Sequence, residues 1–568
     1  MPSDPTPAAS EQSPIFQFAD RFVDEESALD PCMATARGVP GFDHLLTDLS
    51  PAGFQERADH VRNGLATLAT LPVTNDDDRL AKGFIEERFR TALAEFDAGD
   101  WTRDINAIAA PIGDLRAIFD LMSRDSEQAW HDIASRLHAV PAALDGLRDS
   151  YEVGRAQGTV AARRQAFAAA EQCATWADDR WFDTLAEEAA ASDHLPDSLQ
   201  ERIAAGADRA IAAYGAFAAY LRDDYATSAD PHDGCGAERY RLGVRSFLGA
   251  DLDPAEMYEW AWGDFHRLRA EIATTCAAIR PGASFAEIIE LLDTDPNRAV
   301  HGAEAYQQWL QALTDEALLR SKQHFEIPPL MDRCEALIPP AGSAAAAYYT
   351  GPSEDFTRPG RTWYPTLGRT QFPMWGDVTT CYHESVPGHH LQIAYAKLQA
   401  ASLSRIQRGS FISGHGEGWA LYAEALCDEF GWFTNPDHRL GFLTGQMLRT
   451  VRVIIDIGMH LDARIPQGTT LNDGTPFHGG EVWTPDLAFE FAVAETGNTE
   501  EFMRSEIDRY LGWPAQAISY KIGQREWEAA RADAQAHDGA AFDLKAWHTK
   551  ALKLGAIGLD QLRAELAR

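Results

Sequence analysis

Apolar residues recur along most of this chain with the 3.6-residue period of an amphipathic helix. Leu80, Phe84, Ile85, Phe89, Leu93 and Phe96 follow that spacing within DDRLAKGFIEERFRTALAEF, and Leu115, Ile118, Phe119 and Met122 repeat it. The stretch AARRQAFAAAEQCATWADD is rich in alanine, the residue with the strongest helix propensity. A helix start is legible at Asp253-Pro254-Ala255-Glu256. Asp caps, Pro suits the first turn, and a Glu three residues after the cap predicts a capping box. The helix that follows runs through MYEWAWGDFHRLRAEIATTC. The period breaks down between about residues 348 and 380. There YYTGPSEDFTRPGRTWYPTLGRTQFPMWGDV is punctuated by Gly, Pro and aromatics, which predicts an extended segment or small hairpin.

The fold class expected from this pattern is mainly α. At 568 residues the chain is too long for one small core, so it needs two lobes or one large helical body with a cleft. We expect a disordered leader over residues 1–14, a helical lobe over 15–270 and a lobe over 271–568 that carries the chemistry, the two lobes forming one continuous unit.

Charge narrows the list of partners. The formal net charge is −36, from 50 Lys+Arg against 86 Asp+Glu. Such a surface repels phosphate backbones and anionic membranes, which argues against nucleic acid and membrane partners. The seven cysteines are widely spaced and odd in number, with no C-x-x-C, so they describe neither a disulfide framework nor a thiolate metal site. The N-terminus has no basic and apolar signal-peptide pattern, and no apolar run approaches the ~20 residues of a membrane span. A cytoplasmic location is the expectation.

The chemistry is concentrated in Cys381-Tyr382-His383-Glu384-Ser385-Val386-Pro387-Gly388-His389-His390-Leu391-Gln392. The short zinc-hydrolase motif H-E-x-x-H places two imidazoles on one helix face, with the Glu as general base. Here the second histidine comes at i+6 or i+7. On a regular helix i+6 points about 120° away, and i+7 stands about 10 Å up the axis. Neither can share an ion with His383. Pro387 and Gly388 permit a local bulge that returns His389 to the face of His383. His389 is therefore preferred as the second ligand, with His390 as the alternative.

Two blocks of sequence carry a resemblance. His383-Glu384 followed by Gly388-His389 is similar to stretched motifs of helical zinc peptidases, among them oligoendopeptidases, thermostable carboxypeptidases and dipeptidyl peptidase III. More closely, H-E-x-x-P-G-H-H-L-Q with Glu417-Gly418-Trp419-Ala420-Leu421-Tyr422-Ala423-Glu424 resembles a large bacterial family catalogued as a domain of unknown function. YYTGPS…RPGR at 348–361, DIGMH at 456–460 and PAQAISYKIG at 514–523 extend the likeness. The resemblance implies a two-lobed helical peptidase with a deep cleft and a gluzincin-type site: one Zn2+ held by His383, His389 and Glu417. Glu417 begins the apolar stretch WALYAEAL, where an inward carboxylate needs a partner. Three protein ligands leave a position open, the mark of a catalytic zinc.

The implied activity is hydrolysis of short peptides by a carboxypeptidase or dipeptidase, with Glu384 as general base. Tyr520 is the first candidate for a donor to the oxyanion, and His460 and Tyr510 are alternatives. Arg358, Arg361 and His390 are candidate substrate contacts, with Tyr510 beside them. Glu424 and Asp456 are candidates for orienting a ligating imidazole. Two other readings share these residues: an amidohydrolase acting on a non-peptide or acylated amino acid, and a non-catalytic metal-binding scaffold.

Overall fold

A computed structural model describes residues 12–340, 346–353 and 355–568. Of the expected leader, residues 1–11 lie outside the described residues. Ser13 is already structural: its hydroxyl accepts from Phe16 N and caps α1 (Pro14–Leu29).

The molecule is mainly α. Helices α2 (Pro51–Thr70) and α3 (Asp76–Asp97) follow α1. The α3 stripe is as the period predicts. Leu80, Phe84, Ile85 and Phe89 are buried, while Asn75 caps the first turn and Asp76–Asp78 complement its dipole. Next come α4 (Pro111–Leu121), α5 (Glu127–Gln157), α6 (Arg163–Asp178) and α7 (Asp197–Ala219). Then α8 (Gly236–Leu248) leads to α9 (Pro254–Ile279). The capping box expected at α9 does not form. Asp253 does cap, accepting from Ala255 N, but Glu256 reaches out to Arg525 at 2.9 Å.

Two large apolar cores result. One is built from α4 to α7 and their flanks, between Leu49 and Ala229. The other joins α1 and α3 to most of the apolar residues from Tyr240 onward, and a small third cluster gathers Tyr306, Leu310, Ala336, Tyr364 and Phe372. The boundary expected at residue 270 therefore falls in the middle of α9, and the first helices of the chain belong to the core of the last.

The segment before the motif is more than a hairpin. Strand β1 (Ala299–His301) precedes α10 (Ala303–Ser321), and β2 (Cys334–Leu337) follows. Strands β3 (Tyr348–Thr350) and β4 (Gly360–Trp363) pair antiparallel, and β2 joins β4 in parallel, giving the order β2-β4-β3. Strand β5 (Gln371–Pro373) pairs with β1 and runs directly into α11 (Met374–Glu384). After α11 come α12 (His389–Leu398), α13 (Ser413–Glu429) and α14 (Pro436–His460). Helices α15 (Glu500–Gly512) and α16 (Ser519–Asp538) complete the frame of the site. No helix among the described residues is long and apolar enough to cross a membrane.

Candidate metal centre

The motif helix does not bulge; it stops. Helix α11 ends at Glu384, the chain turns through Ser385, a cis Val386-Pro387 bond and Gly388, and α12 starts at His389. Gly388 N bonds to Tyr382 O at 3.0 Å and His390 N to Ser385 O at 3.0 Å, so the turn is closed on both sides. A Cβ on Gly388 would lie 1.8 Å from His383 O, so no other residue fits. The break folds the chain back on itself and brings His389 beside His383, ring centroids 4.9 Å apart and nearly perpendicular.

Helix α13 supplies the third group. Glu417 Oε2 lies 3.3 Å from His383 Nε2 and 3.6 Å from His389 Nε2. One ligand atom from each of the three residues falls within a span of 4.8 Å. Donors about 2.0–2.1 Å from a tetrahedral ion stand about 3.3–3.4 Å apart, so this set fits a zinc-like ion. The tripeptide Glu417-Gly418-Trp419 does three jobs. Glu417 joins the cluster. Gly418 lets α13 touch α16, since a Cβ there would meet Gly523 at 2.5 Å. Trp419 Nε1 donates to Pro387 O and Gly388 O at 3.0 and 3.2 Å and holds the turn.

Around the cluster, His383 Nδ1 donates to Glu424 Oε1 at 2.7 Å, and Thr379 donates to Glu424 Oε2 at 2.7 Å. His389 Nδ1 is buried with no partner among the described residues. Burial pulls the His383 imidazole down, but Glu417 and Glu424 outweigh it and raise it to about 10. Burial likewise pushes the Glu417 carboxyl up, and the two imidazoles reverse this and hold it well below the usual range. Burial raises Glu384, with His389 and His383 opposing. The two imidazoles are thus set against the carboxylates of Glu384, Glu417 and Glu424.

His383, Glu384, His389 and Glu417 open on a cavity of about 780 Å³, a size suited to a small ligand or short peptide. Tyr520, on α16, lines it too. Burial, then the charge of Glu417, push its hydroxyl up, so it is protonated at neutral pH and available as a donor. Tyr348, Leu367, Phe411 and Phe502 line the cavity and are exposed apolar residues, which gives it a greasy rim.

Several expected site residues are placed elsewhere. His390 is buried, accepts or donates at Tyr349 Oη (2.8 Å) and Met331 O (2.9 Å), and pins α12 to β3. Burial lowers it to about 4, so it stays neutral. Arg358 ties its own loop through Gly351 O at 2.8 Å, and Arg361 pairs with Glu335 across β4 and β2 at 3.0 Å. Neither lines the cavity. Asp456 accepts from Tyr240 Oη at 2.7 Å and Ala515 N at 3.1 Å and is not among the partners of His383. His460 bonds to Tyr510 O at 3.0 Å, and its Nδ1 accepts from Cys235 N at 3.3 Å. These two polar residues of DIGMH lock α14 to α8 and α15. Tyr510 is buried and donates to Glu506 at 2.6 Å behind the cavity wall. Sequence reasoning missed Arg449, Arg452, Glu506 and Arg509, which line the cavity from α14 and α15. On the sequence they look like solvent-facing helical charges. The seven cysteines are all unpaired, and Cys381 packs on Thr314 and Ser385, not in the cavity.

Fold and site together define a mainly helical protein that gathers two imidazoles and a carboxylate at one point on the wall of a cavity. The chain belongs to a bacterial protein family of unknown function, DUF885, whose model matches residues 31–566. It is similar in structure to a "putative lipoprotein" from Colwellia psychrerythraea, with a TM-score of 0.83 at 20% identity over 97% of each chain. It is also similar to a "putative lipoprotein of unknown function" from Shewanella oneidensis, with a TM-score of 0.76 at 18% identity over 99% of this chain and 100% of that one. At such identities the likeness concerns the fold. No curated protein matches the chain.

Proposed function

We propose that this protein is a zinc-dependent hydrolase that cleaves amide bonds in short peptides, as a carboxypeptidase or dipeptidase. The observation that carries the reading is the convergence of His383, His389 and Glu417 within 4.8 Å, with Glu384 beside them in the same cavity. A structural zinc site is closed by four protein ligands; this one offers three and faces open space.

Zinc held by these three side chains would supply Lewis acidity, acidifying water and polarising the scissile carbonyl. The residues of the chain do the rest. Glu384, adjacent in sequence to His383, takes the proton of the attacking water and delivers it to the leaving amine. Tyr520 Oη donates to the oxygen on which negative charge develops. The apolar rim accommodates side chains of the substrate and excludes water. An acylated amino acid offers the same amide and the same contacts, so it remains within this reading.

The test is a panel of free and N-blocked short peptides incubated with the zinc-loaded protein, with and without a chelator, and read by mass spectrometry. We expect cleavage that the chelator abolishes. Glu384→Gln should retain zinc and lose turnover by at least about 100-fold. A wild-type protein that binds zinc and cleaves nothing across the panel overturns the proposal in favour of a binding role.

A further inference from the structure

Helix α14 crosses the centre of the molecule, and from Leu440 to His460 every residue is buried except Gly445 and Arg449. The two are one turn apart and share a face. Arg449 lines the cavity of the candidate metal centre. Its Nη1 and Glu424 Oε2 lie 3.5 and 4.0 Å from the point where a Cβ on Gly445 would stand, which sets the guanidinium beside the carboxylate that orients His383.

Arg449 has no ion pair among the described residues. Its single hydrogen bond runs from Nη1 to Gly445 O at 3.3 Å, and its Nε is buried without a partner. The chain carries 86 acidic groups against 50 basic ones, so carboxylates are abundant. An arginine with no ion pair among the described residues, on the more open face of the Leu440–His460 stretch, is placed to receive a carboxylate from a ligand.

Its neighbours reinforce the charge. Arg452 binds Glu506 through Nη2 at 2.6 Å and Nε at 3.1 Å, and Arg509 binds the same carboxylate at 3.1 Å through Nε and Nη2. Two guanidinium groups thus share one carboxylate on this wall, and Arg449 adds a third positive charge beside them. Arg452 and Arg449 stand over the ring of Tyr520 at 4.9 and 6.0 Å. The positive wall therefore flanks the proposed oxyanion donor.

We propose that Arg449 recognises a free carboxylate on the amine-side residue of the substrate, one residue beyond the scissile amide. Arg449 and the cluster line the same cavity, so a substrate whose amide lies at the cluster presents its neighbouring groups to this wall. The inference rests on the hydrolase reading and narrows it: the substrate class is an amide ending in an α-amino acid with its carboxylate free. A peptide C-terminus and an N-acyl amino acid share that chemistry.

The test measures binding, so that it does not depend on turnover. Zinc-loaded Glu384→Gln protein is titrated by calorimetry with N-benzoyl-glycyl-phenylalanine, with its C-terminal amide, and with N-benzoyl-phenylalanine. We expect the acid to bind about 10- to 100-fold more tightly than the amide, the range of a charge-assisted hydrogen bond. Adding Arg449→Gln should erase that preference without changing zinc affinity or Tm, and Arg449→Lys should restore part of it. The tighter of the two acids identifies the source of the carboxylate. Equal affinity for acid and amide, no binding of either acid, or a preference that survives Arg449→Gln overturns the proposal. The hydrolase reading fails separately, when the wild type binds the acids through Arg449 and hydrolyses none of them.

Discussion

Glu417 and Glu424 stand two turns apart on one face of α13 and hold the two nitrogens of a single imidazole, that of His383. Glu417 shares the point that an ion would occupy, and Glu424 fixes the ring that points there. Removing Glu424 leaves His383 Nδ1 and the Thr379 hydroxyl buried without their acceptor. Glu424→Ala should weaken zinc binding by about 10- to 100-fold, read by competition with a chromophoric chelator. Glu424→Gln, which keeps the shape and loses the charge, should fall between.

The turn between α11 and α12 admits only glycine at 388, because a Cβ would collide with His383 O. Gly388→Ala should cost about 3 kcal/mol of stability and displace His389. The same protein should then show a lowered Tm and a loss of bound zinc. Gly376→Ala is the control on the same helix. A Cβ there meets nothing within 4 Å, and the change should be neutral or stabilising by up to about 1 kcal/mol.

Tyr520→Phe removes one hydroxyl from the cavity and leaves the ring under Arg452 in place. Turnover should fall by about 100-fold with KM and Tm little changed, since an oxyanion donor acts in the transition state and not in the ground state. An unchanged kcat would reduce Tyr520 to a packing residue.

Asp456 is buried against Tyr240 Oη, Ala515 N and the ring of His460, and burial pushes its carboxyl up to about 7. In the folded state it therefore holds a proton that the unfolded chain has already lost above pH 4. Stability from this group is complete below about pH 4 and declines as pH rises toward 7. Asp456→Asn removes the titration. Its Tm relative to wild type should climb between pH 4 and pH 7, and a constant difference would show that Asp456 is ionised in the fold.

Much of the site was legible because its chemistry is local in sequence. His383, Glu384 and His389 lie within one short stretch, and Glu417 and Glu424 lie on the next long helix with i,i+7 spacing. The form of the break was not legible. Pro387 and Gly388 announce that a regular helix fails, but a bulge and a complete stop satisfy the same residues. The arginine wall was invisible for a different reason. Arg449, Arg452 and Arg509 sit on helices whose apolar stripes say only which face is buried, and which cavity the remaining face meets depends on tertiary packing. Arg358, Arg361, His390, His460 and Asp456 are the reverse case. Polar residues in a recognisable block suggested chemistry, whereas the fold uses them to bind strands and helices together.

At its closest point the contact between α13 and α16 is made by backbone alone. Gly414, Gly418 and Gly523 touch backbone to backbone, and a Cβ on Gly523 would lie 2.2 Å from Gly414 O. Glu417 and Tyr520 are carried on either side of that seam. A single methyl would push the helices apart by about 1 Å, a displacement that can cost a hundredfold in rate at a reacting centre. The seam therefore works as a gauge block between two groups it does not touch. Anyone redesigning this pocket for a new ligand can vary the rim and the arginine wall, but the three glycines set the tolerance of the machine and have to be kept.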